Sequence, residues 1–338
     1  MPSTTPRALI LGLAGTTVSA AERQLFKFAN PLGFILFQRN CEAPAQIAAL
    51  TAELRRIVGR DDAPVLIDQE GGRVQRLKPP HWRQAPSAAS FGALHARDPA
   101  AAERAVQLNS RLIAADLAAL GIDVDCLPVL DVPVPGAHDV IGDRAYGHRP
   151  EVVAALGRAA AEGLLEGGVL PVIKHMPGHG RAASDSHHAL PAVDADWDSL
   201  AAHDFAPFKA LRDLPLAMTA HVLYRAVDAE RPASTSPAVI DRVIRRHIGF
   251  DGLLLCDDLG MQALAGGMAE RVAAVLAAGC DVALHCSGQI EDMQEAVAAA
   301  AALTPKAQAR WSKARQMRPS PSAFDQLAAL AELEQMLG

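Results

Sequence analysis

A chain of 338 residues, half of them hydrophobic and 21 % charged, has the make-up of an ordinary globular protein and excludes a disordered or fibrous one. Its net charge of −6, with no clustered run of Lys or Arg, argues against a nucleic-acid partner or an anionic membrane surface, both of which need a basic footprint. No apolar run reaches the roughly 20 residues that a bilayer span requires, and the five cysteines (Cys41, Cys126, Cys256, Cys280, Cys286) contain no CxxC, so they indicate neither a zinc ribbon nor a disulfide framework.

At this length an α/β barrel occupies a chain as one domain with small extensions. In chain order, apolar runs at 7–15, 33–37, 64–70, 123–130, 171–177, 216–222, 252–258 and 281–287 read as strands. Their near-continuous Val, Ile and Leu, without polar alternation, is the pattern of strands covered on both faces in a parallel sheet. Between them lie amphipathic stretches such as 101–120, where Val106, Ile113, Leu117 and Leu120 share one stripe before Gly121 ends the helix. Eight strands alternating with helices predict one α/β domain over 1–338, a (β/α)₈ TIM barrel; an open doubly wound sheet shares that alternation. From about 305 the chain reads as a helical extension: a helix at 305–317, a break at Pro319 and Pro321, and a last helix at 322–337, packed on the barrel exterior. The first segment carries only Arg7 ahead of its apolar stretch and lacks a secretory cleavage pattern. With cysteines that read as small buried hydrophobes of a reducing compartment, a cytoplasmic protein is expected.

In a parallel barrel the active site forms at the C-terminal strand ends, so polar residues there carry a functional reading. The third strand ends in Asp68-Gln69-Glu70-Gly71-Gly72-Arg73, the fifth in Lys174-His175-Met176-Pro177-Gly178-His179-Gly180, the sixth in Thr219-Ala220-His221 and the seventh in Asp257-Asp258, while Asp143-Arg144 follows the fourth. Burying so many charges beside apolar strands costs several kcal/mol unless they are paired, which disfavours a purely structural origin. A single Asp at a strand end also serves to cap the next helix, and Asp258 is a candidate for that role. The fifth loop is the most unusual segment. Glycines flank His179, and after a four-residue spacer come Asp185-Ser186-His187-His188. An Asp185-x-His187 pair suits a histidine tuned by a carboxylate, which is how a side chain is made to donate and accept protons near neutral pH.

These segments, with Gly33-Phe34-Ile35-Leu36-Phe37, Val74-Gln75-Arg76, Ile141-Gly142 and Leu259-Gly260-Met261, resemble glycoside hydrolase family 3, specifically its short bacterial β-N-acetylhexosaminidases of cell-wall (peptidoglycan) recycling. The resemblance spans about 7–290 and is most specific in the fifth loop. It implies a retaining exo-β-N-acetylglucosaminidase acting on β-1,4-linked N-acetylglucosamine of muropeptide fragments through a covalent glycosyl-enzyme. Asp257 is then the nucleophile, where position alone leaves Asp258 almost equal. His187 with partner Asp185 is the acid/base, in place of the second carboxylate most retaining glycosidases use. Asp68, Arg76, Arg144, Lys174 and His175 are implied to hold the sugar hydroxyls, with Met218 and His221 lining the pocket. No cofactor and no metal are expected, with a small-molecule saccharide as partner and the chain as a monomer. Met176 stands where the family has Phe, Cys256 where Ser is common, and His188 where an aliphatic or aromatic residue follows the pair.

Rival chemistries use the same residues. His175, His179, His187, His188 and Asp257 could gather around zinc in a metal-dependent hydrolase, although three of these histidines share one glycine-rich loop rather than rigid elements. Lys174 could form a Schiff base if burial lowered its pKa. A phosphorolytic relative would use phosphate in place of water, which a histidine acid/base tolerates better than a carboxylate. A sugar-binding protein without catalysis has no need of both an acid/base loop and an opposed carboxylate.

Overall fold

The computed structural model describes residues 5–182, 186, 190–321 and 323–338. Eight strands, β1 (Arg7–Leu11), β2 (Pro31–Leu36), β3 (Val65–Ile67), β4 (Val124–Asp125), β5 (Leu170–Met176), β6 (Leu216–Thr219), β7 (Leu253–Asp258) and β8 (Val282–His285), pair in parallel and in sequence order. The ring closes where β8 meets β1, with Leu9 opposite Ala283 and Leu11 opposite His285. Every residue of β2 and β5 is buried, the former PLGFIL and the latter LPVIKHM. Such strands face packed side chains inside the barrel and helices outside, so only continuous apolar runs suit them. All eight expected runs carry a barrel strand, and the architecture is a (β/α)₈ barrel rather than an open sheet.

The regular strands are shorter than the apolar runs, most of all β4. Beyond Asp125 the chain still follows β5, with Val172 N–H donating to Leu127 O (3.0 Å), Lys174 N–H to Pro128 O (3.1 Å) and Leu130 N–H to Lys174 O (2.7 Å). Pro128 has no N–H to return, so the ladder is irregular there. This segment delivers Asp131 to the back of β5.

The helix expected at 101–120 runs Pro99–Ala119, capped by the Asp98 side chain on Ala101 N–H. The tail forms helices Pro305–Gln316 and Gln326–Leu337. The second begins later than expected because Asp325 is its N-cap, accepting from Ala328 N–H. It lies on helix Pro99–Ala119, joined by the ion pair of Arg104 with Glu332 at 2.8 Å. Near the N-terminal strand ends, Arg310 bonds Asp281 (2.9 Å) and Asp251 (2.6 Å), and Arg318 bonds Asp123 (3.1 Å). The extension therefore secures the end of the barrel away from the strand C-termini. Among the described residues, no helix is long and apolar enough to cross a membrane.

Candidate active site

The loop after β3 doubles back on itself. Gly71 and Gly72 take positive φ, and a side chain at Gly71 would meet the Pro86 carbonyl at 2.3 Å. The Gln69 side chain then accepts from Arg76 N–H (2.9 Å) and Leu77 N–H (3.0 Å), bringing Arg76 back beside Asp68. The result is an alternating chain of charges. Arg76 bonds Asp68 at 3.0 Å, and Lys174 Nζ lies 2.8 Å from Asp68 and 2.7 Å from Glu70. Arg144, from the turn Gly142–Arg144, grips Glu70 through both Nε and Nη2 at 2.8 Å. Such forked pairing is the strongest geometry a guanidinium offers a carboxylate.

Burial alone would raise both carboxyl groups, but the neighbouring cations outweigh it. Arg144 and Lys174 hold Glu70 at about 2, and Lys174 and Arg76 hold Asp68 well below the usual range. Burial acts against the Lys174 ammonium, yet Asp68 and Glu70 more than offset it and raise its pKa. A Schiff-base lysine needs a free amine near neutral pH, so this pairing removes that rival. Glu70 is not among the sugar-binding residues expected from the sequence, although two carboxylates at i and i+2 of an extended segment share one face.

Across the cavity, Asp257 stands next to last in β7. Among the described residues its carboxylate accepts one hydrogen bond, at Oδ1 from Asp258 N–H (2.8 Å). Burial would raise its carboxyl, but His175, His221 and that N–H together lower it, so it stands as an anion. Asp258 is differently employed. Its Oδ1 takes Gly260 N–H and Cys286 N–H, both at 3.0 Å, tying the loop to the end of β8. It does not cap the next helix, which starts at Met268 with Gly267 as N-cap.

Asp68, Glu70, Arg76, Arg144, Lys174, His175, Met218, Asp257 and Asp258 line one cavity of about 290 Å³, with Phe37 and Cys286 also in its wall. That size sits at the small end of ligand pockets. Arg39 and Arg76 both stack on Phe37, at 5.0 and 5.1 Å from its centroid. His221, expected on the wall, is instead fully buried behind it. Its Nδ1 pairs with Ser234 Oγ (2.7 Å) and its Nε2 with Asp258 O (3.0 Å), leaving no ring nitrogen for a ligand.

The fifth loop starts from fixed points. Asp131 accepts His179 N–H at 2.6 Å, Gly180 O accepts Val134 N–H at 3.3 Å, and Tyr224 OH donates to Gly178 O. A Cβ on Gly180 would lie 2.1 Å from Val132 O, so only glycine permits this approach. Further on, Ser186 accepts Ala263 N–H through its carbonyl (3.2 Å) and meets His179 Nε2 through its hydroxyl (3.2 Å). Asp185, His187 and His188 lie outside the described residues. Among those described, no group of three or more His, Cys, Asp and Glu could hold a metal ion.

His179 is buried, and burial lowers its pKa from the ordinary 6.5 to about 4. The unfolded chain therefore takes up this proton first. Stability falls as pH drops from about 6.5 towards 4, by at most about 3 kcal/mol. Urea midpoints measured across that window should lose the corresponding part of their slope in His179→Asn; an unchanged slope would count against a neutral buried His179.

Residues 10–317 match the family model described as the glycosyl hydrolase family 3 N terminal domain. A curated relative named beta-hexosaminidase, from Alkalilimnicola ehrlichii, is 41 % identical over 283 residues, covering 82 % of this chain and 80 % of that one. The crystal structure of NagZ from Neisseria gonorrhoeae in complex with N-trifluoroacetyl-D-glucosamine superposes with a TM-score of 0.89 at 32 % identity, over 100 % of both chains. A family 3 beta-N-acetylglucosaminidase from Paenibacillus sp. str. FPU-7 gives a TM-score of 0.85 at 32 % identity; the match covers 97 % of this chain and 66 % of that longer one.

Proposed function

From the premise that this chain belongs to glycosyl hydrolase family 3, we propose that it is a retaining exo-β-N-acetylglucosaminidase that releases terminal β-1,4-linked N-acetylglucosamine from muropeptide fragments, as part of cytoplasmic peptidoglycan recycling. The saccharide class rests on relatives named beta-hexosaminidase and on a solved relative that holds an N-acylated glucosamine.

The observation that carries the mechanism is the state of the cavity carboxylates. A retaining glycosidase needs one ionised nucleophile and one group that carries a proton near neutral pH. Asp257 is ionised and, among the described residues, holds a single backbone hydrogen bond. Asp68 and Glu70 are locked to cations, far below the pH at which either could donate a proton. Asp125, whose carboxyl burial raises well above the usual carboxylate range, lies off the cavity wall, where it accepts Gln69 N–H. His179 is buried and neutral. His175, the imidazole on the cavity wall, is paired with Asp131, and the family resemblance gives the proton-donor role to the Asp185-x-His187 pair of the fifth loop, a carboxylate-tuned histidine suited to it near neutral pH. In this reading Asp257 attacks the anomeric carbon while His187 protonates the departing glycosidic oxygen. His187 then takes a proton from the water that cleaves the Asp257 ester, and the configuration is retained. Asp68, Arg76, Arg144, Lys174 and His175 hold the hydroxyl groups through charge-assisted hydrogen bonds.

The test uses aryl glycosides. The protein should cleave an N-acetyl-β-glucosaminide and not the β-glucoside, which differs at the sugar's second carbon; the reverse preference would overturn the assignment. His187→Ala should slow substrates with poor leaving groups far more than activated ones, since only the former need protonation. Equal losses would remove His187 from the role.

A further inference from the structure

Asp131 follows the irregular end of the fourth barrel segment. It is fully buried and is not part of the cavity wall. Its Oδ1 accepts the backbone N–H of His175 (3.2 Å) and of His179 (2.6 Å), while Oδ2 lies 2.7 Å from His175 Nδ1. Burial would raise this carboxyl, but His175 and the backbone N–H of His179 lower it, so it faces His175 as an anion. An ionised carboxylate can only accept, so His175 Nδ1 carries the hydrogen between them. The His179 ring stands edge-on to the His175 ring at 5.8 Å. His175 is itself part of the cavity wall, and the nitrogen it has left to offer there is Nε2.

We propose that Asp131 is a positioning residue for the sugar-binding reaction: from behind the cavity wall it fixes His175 as the Nδ1–H tautomer, so that Nε2 meets a sugar hydroxyl as an acceptor. This rests on reading the cavity as a saccharide site. The polarity matters because the other cavity residues that grip hydroxyls are nearly all cations and can only donate. Arg76, Arg144 and Lys174 have no lone pairs to give, and every carboxylate oxygen of Asp68 and Glu70 already accepts from one of those cations, which leaves them fewer sites for a hydroxyl hydrogen. A sugar hydroxyl that accepts from one of the cations still has a hydrogen to place, and His175 Nε2 is a fitting acceptor.

Nitrogen-15 NMR of the full chain reads the tautomer directly, with His175 assigned by its absence in His175→Gln. A protonated Nδ1 and a bare Nε2 at neutral pH are expected; a protonated Nε2 overturns the proposal. Asp131→Asn preserves size but offers Nδ1 an amide hydrogen, which reverses the tautomer. On an N-acetyl-β-glucosaminide its kcat/KM should fall by about 10- to 100-fold, mainly through KM, equally for good and poor leaving groups. In a His175→Gln background the same change should cost almost nothing further. An undiminished cost there, or a loss confined to poor leaving groups, overturns the proposal, the second because it would make His175 the proton donor. If Asp131→Asn does not fold, the tautomer of the unaltered protein decides alone. A wild-type protein that turns over no N-acetylglucosaminide defeats the functional reading while leaving the tautomer measurable, so the two failures are distinguishable.

Discussion

Asp257→Ala is expected to abolish turnover, with kcat falling by roughly 10⁴- to 10⁶-fold, the loss typical of removing a nucleophile from a preorganised site. The fold should survive, because among the described residues the side chain gives up a single hydrogen bond, the one from Asp258 N–H. Asp258→Ala separates the two neighbours in the opposite sense. It strips the acceptor from Gly260 N–H and Cys286 N–H, so it should lower the melting temperature and loosen the loop that follows β7. Steady-state rates and thermal unfolding of both variants check the assignment. A fully active Asp257→Ala, or an Asp258→Ala that is stable yet dead, would reverse it. With a slow substrate, mass spectrometry of the unaltered protein should find the sugar attached to the peptide that contains Asp257.

What could be read from the chain divides along physical lines. The barrel was legible because each strand is buried on both faces, which writes uninterrupted apolar runs into the sequence, as in Leu253-Leu254-Leu255 before Cys256 and Asp257. Site residues were legible where they follow such a run directly: Asp68, Lys174, His175 and Asp257 reach the cavity because their strands end there. Long-range pairing was not. Asp131 sits in a run of apolar residues and prolines, and its partner His175 is 44 positions away, so nothing local marks it. Glu70 was visible but undervalued; its spacing from Asp68 places both on one side, and only the structure shows Lys174 between them. His221 illustrates the opposite error. It stands three positions after Met218, an odd step that turns an extended chain's side chain to the other face, and Ser234 and the Asp258 carbonyl receive it there.

Lys174→Met should be the most destabilising single change in the cavity, at roughly 3–5 kcal/mol in urea unfolding, the usual consequence of leaving buried charge without its partner. The ammonium is almost wholly buried and is the one cation shared by Asp68 and Glu70 among the described residues; Arg76 and Arg144 then remain on one carboxylate each. Methionine fills similar space, so the loss reports charge rather than a cavity. The pH dependence identifies the cause. In the unaltered protein Glu70 is held at about 2, below the ordinary 4.5, so its pairing contributes fully above pH 4.5 and is lost as pH falls through that window towards 2. Without Lys174 the folded-state value moves up, the contribution above pH 4.5 shrinks, and acid unfolding begins at higher pH. The variant should also bind sugar poorly, because Asp68 and Glu70 no longer share a fixed donor between them. Equal stability of variant and parent, with superimposable acid unfolding, would mean that the two carboxylates are satisfied by their arginines alone, and that Lys174 serves the ligand rather than the fold.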